Sequence, residues 1–344
     1  MTKRRTILGL LGASAIALAA SGAAVAQEYN LKMHGFLPLP ATIPAQIIQP
    51  WIDEVEANSN GRINIEHFGA MALGGTPPEL FDQVLDGITD LSWTVIGYTP
   101  GRFPSTEVME LPFMVSDARA ASAALWDLTE SKLMDTEFKD VKVLGTWVHG
   151  PGMFHTADPV EEPADLEGMK IRGGSRMVNQ LLEATGATPV GMPVPAVPEA
   201  LSKGVIDGTT IPWEVTRTLK VPELVENHTE FDGPALYVLS FVLSMNMDSW
   251  NSLDAEAQAA IEAASGREFS IFAGGTMQDA DAPARALAVE LGNNIITVSE
   301  ENAVKWRDVV NPIIDGWIAE MDGKGIDGQG LIDTVNASMA AYGN

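Results

Sequence analysis

Arg172 is the residue whose type and setting most clearly suggest chemistry. It ends the apolar run Met169-Lys170-Ile171-Arg172, and Gly173-Gly174-Ser175 follows before an amphipathic stretch begins. Ligands of open α/β sheets bind beyond the carboxyl ends of the strands. Helix N-termini there present free N–H groups to anions, and a guanidinium adds a planar fork that takes a carboxylate bidentately. The chemistry on offer is therefore capture of an organic anion. Arg172 could equally bridge one of the many acids of the chain, and on the residues alone the two readings weigh the same.

Other chemistries find little material. The chain has no cysteine, which excludes thiol nucleophiles, CxxC redox pairs and thiolate-held metals. His149 and His155 flank a Gly-Pro-Gly turn with no acid at metal-binding spacing, and His67 follows Glu66 on an alternating stretch that points the two apart. There is no P-loop and no His-Glu-x-x-His, and no Gly-x-Ser-x-Gly elbow stands beyond the N-terminal run. No two carboxylates stand out as acid and base. The expectation is a protein with no catalytic residue, no metal and no cofactor.

The elements that must position Arg172 read as alternating strands and helices, the α/β class. Tyr29 to Met33 is a strand leading into His34-Gly35-Phe36. A helix over Pro44 to Ala57 should kink at Pro50. Thr76 and Glu79 form a capping box with Pro77 at the first helical position, and Gly87 stops that helix. Strands are expected at Arg62 to Glu66, Asp90 to Trp93, Val143 to Trp147, Met169 to Arg172, Pro189 to Met192 and Val205 to Gly208. Ser175 caps a helix ended by Gly186. Leu236 to Met247 suits a buried strand. Helices follow over Asp254 to Ala264, Arg267 to Leu291, Glu300 to Met321 and Gly328 to Tyr342. Phe36, Trp93, Tyr98 and Trp213 lie in or just past expected strands, where each could line a cleft or fill a core. His149 could donate to a ligand or serve its turn.

The N-terminus carries Lys3, Arg4 and Arg5, an apolar run from Ile7 to about Leu18, and Ala24-Val25-Ala26 before Gln27. This is the pattern of a signal peptide over residues 1–26, with Sec export favoured over the twin-arginine route. A net charge of −25 argues against nucleic acid and anionic lipid as partners. It also means that an anionic ligand needs a local cation.

Five segments resemble one family. Asp165-Leu-Glu-Gly-Met-Lys-Ile-Arg172 is similar to the D-L-x-G-x-K-x-R element of DctP-type solute-binding proteins of TRAP (tripartite ATP-independent periplasmic) transporters, and Ala200-Leu-Ser-Lys-Gly-Val-Ile-Asp-Gly208 to their A-L-x-x-G-x-x-D-G element. Ser59-Asn60-Gly61-Arg62, Gly87-Ile-Thr-Asp90 and Leu111-Pro112-Phe113 fall in the same order. The resemblance implies a two-lobed, periplasmic-binding-protein-like α/β fold, with mixed sheets flanked by helices and a long helix spanning both lobes. Lobe I would be 27–150 with about 235–275 returning, lobe II 151–234 with about 276–320 returning, and 321–344 a C-terminal helical segment. It implies a monomer in the periplasm that is no enzyme, closes on a ligand carboxylate clamped by Arg172, and delivers it to TRAP membrane permease subunits.

Two departures from the family pattern bear on the ligand. Many members carry a second arginine where this chain reads His149-Gly-Pro-Gly-Met-Phe154, and an asparagine where this chain has Ile211, followed by Trp213. Both changes replace polar contacts with apolar surface, and pockets match their ligands. The expected ligand is a monocarboxylate with an apolar or aromatic body, set against Arg172, Ile211, Trp213, Phe36, Trp93, Tyr98 and His149. A C4-dicarboxylate or sulfonate, or a secreted carboxylate-dependent hydrolase, stand as alternatives.

Overall fold

A computed structural model describes residues 28–342, so the expected signal peptide at 1–26 lies outside the described residues. The chain first lays down β1 (Tyr29–His34), β2 (Ile63–Phe68), β3 (Leu91–Val95) and β4 (Val141–Val148). It then builds β5 (Met153–Thr156), β6 (Lys170–Gly173), β7 (Thr188–Gly191), β8 (Gly208–Ile211) and β9 (Asn227–Glu230). β10 (Ser240–Asn246) returns to the first group, and β11 (Asn294–Thr297) joins the second. Two mixed sheets result, ordered β2-β1-β3-β10-β4 and β11-β9-β5-β8-β6-β7. β10 runs antiparallel between β3 and β4, and every one of its residues is buried. Burial along its whole length is the signature of a strand covered on both faces.

Local chemistry explains most helices. α1 (Gln49–Asn58) is preceded by a wider turn over Ile43–Ile48, closed by the Gln49 N–H on the Pro44 carbonyl. The change of winding falls just before Pro50, whose missing N–H cannot continue an interior ladder. α2 (Leu80–Leu85) follows a short turn in which the Glu79 carboxylate accepts the Thr76 backbone N–H at 2.6 Å, the capping interaction expected from the sequence. α3 (Ala118–Leu128) covers the first sheet. α4 (Arg176–Ala184) starts where the Ser175 hydroxyl accepts the Val178 N–H at 3.2 Å. Such a cap contributes about 1 kcal/mol. α5 (Val197–Ser202), α6 (Trp213–Leu219), α7 (Met247–Ser252) and α8 (Ala255–Ala263) are short.

The expected single helix over Arg267 to Leu291 is two, α9 (Arg267–Asp279) and α10 (Asp281–Glu290), broken at Ala280. Pro283 lies in the first turn of α10, where its lack of an N–H is harmless. α9 packs on α3 and β4, and α10 on α6, so this pair runs from one sheet to the other. α11 (Glu300–Gly323) contains Pro312 and touches α4, and α12 (Gly328–Ala341) packs on α3. No helix among the described residues is long and apolar enough to cross a membrane.

Three strands escaped the sequence reading. β5, β9 and β11 are four residues each, too short for alternation to show, and β9 is Asn-His-Thr-Glu. The strand expected at Val205 to Gly208 begins only at Gly208.

Candidate functional site

The Arg172 side chain leaves β6 and is 1% exposed. Its Nε donates to the Met192 carbonyl at 2.8 Å and its Nη1 to the Thr210 carbonyl at 3.1 Å. Both acceptors are neutral. Nη2 is buried without a partner, and Arg172 takes part in no ion pair among the described residues. A guanidinium stays charged at any working pH, and a buried charge is costly unless paired. A full positive charge is thus held in place by backbone, with donors to spare. Gly174 makes room for it, since a Cβ there would stand 3.1 Å from both Nη1 and Nη2.

Arg172 faces a narrow cavity of about 40 Å³ between the two sheets. Phe36, Tyr98, Tyr237, Phe241 and Ile211 supply part of a mostly apolar wall. Phe36 meets the Tyr98 ring edge-on at 5.6 Å. The Tyr98 hydroxyl accepts the Val194 N–H at 3.0 Å, which joins the loop after β3 to the turn after β7 and leaves its own proton free. The Tyr237 hydroxyl is buried with no partner, and Gly152 admits that ring, because a Cβ would lie 2.4 Å from it. Burial raises the pKa of both phenols, against smaller lowering by Arg172 and the Val194 N–H at Tyr98 and by Thr210 and Arg172 at Tyr237. Both therefore remain hydroxyl donors beside the guanidinium, and together these groups can hold an anion.

Five of the seven residues expected at the site share this cavity: Arg172, Ile211, Phe36, Tyr98 and His149. His149 lines it without offering a donor. Its Nε2 accepts the Leu239 N–H at 3.0 Å, so Nδ1 carries the proton and donates it to the Gly150 carbonyl. Burial lowers its pKa to about 4 and keeps it neutral. It serves the turn between the sheets.

Trp93 and Trp213 lie elsewhere, contrary to expectation. The Phe36 ring covers Trp93 at 4.6 Å, and the Trp93 Nε1 donates to His67 Nε2 at 3.1 Å. Trp213 opens α6 rather than ending a strand, and the turn of the helix carries it away from the cavity. It packs with Met153, Ala284 and Ala288 and against the rings of His155 and His228.

Tyr237, Phe241 and Glu214 line the cavity and were missed. A tyrosine hydroxyl in the otherwise apolar run Ala235 to Leu239, and a lone acid after Ile211-Pro212-Trp213, were the available signals. A polar group in such surroundings needs a reason.

Residues 40–320 match the family described as bacterial extracellular solute-binding protein, family 7, or DctP. The chain belongs to this family. A TRAP solute-binding protein from Rhodoferax ferrireducens T118, solved with copurified benzoate, is 42% identical with a TM-score of 0.89, covering 91% of this chain and 98% of that one. A marine metagenome TRAP solute-binding protein described as specific for aromatic acid ligands, solved with metahydroxyphenylacetate, is also 42% identical at a TM-score of 0.89, covering 92% and 100%. A third, from Bordetella bronchiseptica with bound (R)- and (S)-mandelate, is 30% identical at 0.84, covering 91% and 99%. The chain is a DctP-type solute-binding protein with the two-lobed fold, and the family and these relatives are binding proteins rather than enzymes. Proteins of this family bind small organic acids.

Proposed function

We propose that this DctP-type protein is the extracytoplasmic subunit of a TRAP transporter and captures a monocarboxylate with an aromatic or apolar body. Arg172 takes the carboxylate through its free Nη face, the Tyr98 and Tyr237 hydroxyls assist, and Phe36, Phe241 and Ile211 surround the body. The observation that carries this reading is the buried guanidinium with an unpartnered nitrogen and no ion pair to a protein acid among the described residues. Among the described residues lining the cavity it is the only cation, which favours one carboxylate over two. The aromatic acids bound by the 42% identical relatives support the same ligand class.

In this reading lobe I comprises 27–150 and about 235–275, and lobe II 151–234 and about 276–320. The connections after β4, after β9 and at Ala280 form the hinge, and 321–344 is a C-terminal helical segment. The protein works as a periplasmic monomer, exported by Sec with loss of residues 1–26, and hands its ligand to the permease.

The test is calorimetric titration of ligand-free protein with benzoate, mandelate, succinate and an alkyl sulfonate. The expected result is tight binding of the aromatic monocarboxylates and weak or absent binding of the other two. Preference for succinate would overturn the ligand class.

A further inference from the structure

We infer that Glu214 forms a second polar pole of the binding cavity and selects acids that carry a hydroxyl on the apolar body. This rests on the reading of the cavity as an aromatic-acid site and goes further by naming a substituent and the residue that reads it.

Glu214 stands in the first turn of α6 and is 2% exposed. It stands in the wall between the cavity that Arg172 lines and an outer cleft that Thr42 lines, and both carboxyl oxygens are buried without a hydrogen-bond partner. The Thr42 hydroxyl is near enough to lower the carboxyl pKa slightly, but neither oxygen meets it in hydrogen-bond geometry. The position is fixed from behind, because the Glu214 N–H donates to Asp281 Oδ1 at 2.7 Å. Arg172 does not serve it. No ion pair joins them, and only burial and Thr42 shift the Glu214 pKa, which burial raises to about 7. Near neutral pH the group therefore exchanges between carboxylate and carboxylic acid. Either form accepts a hydrogen bond from a ligand O–H, and the acid form can also donate one.

The cavity thus presents an anion receptor at Arg172 and an unsatisfied carboxyl at Glu214, with aromatic wall around them. A purely apolar pocket tolerates a hydroxyl without choosing it. A pocket with a buried polar group waiting for one rejects the ligand that lacks it. An unsubstituted aromatic acid would leave Glu214 unpaired, and a hydroxylated one would pair it.

The test uses ligand-free full-length mature protein, titrated by calorimetry with benzoate and with 2-, 3- and 4-hydroxybenzoate. The expected result is that at least one isomer binds roughly 10-fold tighter than benzoate. In Glu214→Leu that preference falls to about threefold or less. Glu214→Gln, which keeps the size and both hydrogen-bonding senses, should retain a preference, and thermal melts report the fold of each variant. The inference is overturned if no isomer exceeds benzoate, or if the preference survives in Glu214→Leu. Failure of every aromatic acid to bind wild-type protein would instead remove the proposed function, and this inference with it.

Discussion

At the scale of single residues, Arg172 buries a charge without an internal ion-pair partner. Arg172 is held by two backbone carbonyls and flanked by two phenols. A protein acid at this place would satisfy the charge and close the site. Backbone carbonyls orient the guanidinium but leave its charge for the ligand. Lysine keeps the charge and loses the fork. Arg172→Lys should therefore bind aromatic acids about 10-fold more weakly or worse, measured by calorimetry, with little change in melting temperature. Arg172 was readable in the sequence because strand, glycine pair and cap frame it within seven residues, 169–175. Tyr237 and Glu214 were not: Tyr237 comes from the segment leading into β10, and Glu214 from the first turn of α6, a helix that pattern and punctuation did not mark. The two tryptophans misled for a related reason. Being aromatic and near a strand end does not settle which way a side chain turns, and Phe36 already occupied the wall in front of Trp93.

At the scale of elements, the sheets and most caps followed from pattern and punctuation. The four-residue strands β5, β9 and β11 did not, since register with neighbours rather than their own composition makes them strands. One tie between elements was likewise invisible. Arg176 at the start of α4 pairs through Nε and Nη2 with Glu107 on the Thr106–Glu110 turn, and through Nη1 with Glu320 of α11 at 2.7 Å. Trp317 adds an N–H to the same Glu107 at 3.3 Å. The cluster joins three elements, α4, the Thr106–Glu110 turn and α11, and so fastens α4 to its surroundings beside β6. Glu107 is nearly buried, and removing the guanidinium leaves its carboxylate short of donors. Arg176→Ala should cost about 2–4 kcal/mol, a fall in melting temperature of roughly 5–10 °C by calorimetry or circular dichroism. An unchanged melt would show the cluster to be ornamental.

At the scale of the whole molecule, the sequence charge of −25 conceals an unusual interior. Burial raises Glu110 and Asp281 to about 8 and Glu214 to about 7, all above their usual values. A folded-state pKa above the unfolded one stabilises fully below the unfolded value, and that contribution fades as pH rises through the folded value. Burial also lowers His67, His149 and His228 to about 4, with His155 well below its usual value. Those groups stabilise above about 6.5, and their contribution fades as pH falls toward 4. Between about 4.5 and 6.5 the two trends oppose. Above 6.5 only the carboxyls act, so stability should decline with pH. The expected result is a melting temperature of ligand-free protein nearly level from pH 5 to 6.5 and lower by roughly 5–10 °C at pH 8.5. A rise over that upper interval would contradict the buried acids. Composition indicated the acidic total, while the burial of particular acids and histidines is a property of the packed fold.

The most direct measurement is calorimetric titration of benzoate into ligand-free Arg172→Ala beside the wild-type protein. A carboxylate left in an apolar cavity without its guanidinium should lose about 2–5 kcal/mol, which is roughly 30-fold or more in affinity, with the thermal melt showing an intact fold. Equal affinity in the two proteins would contradict the claim that this one buried cation receives the ligand.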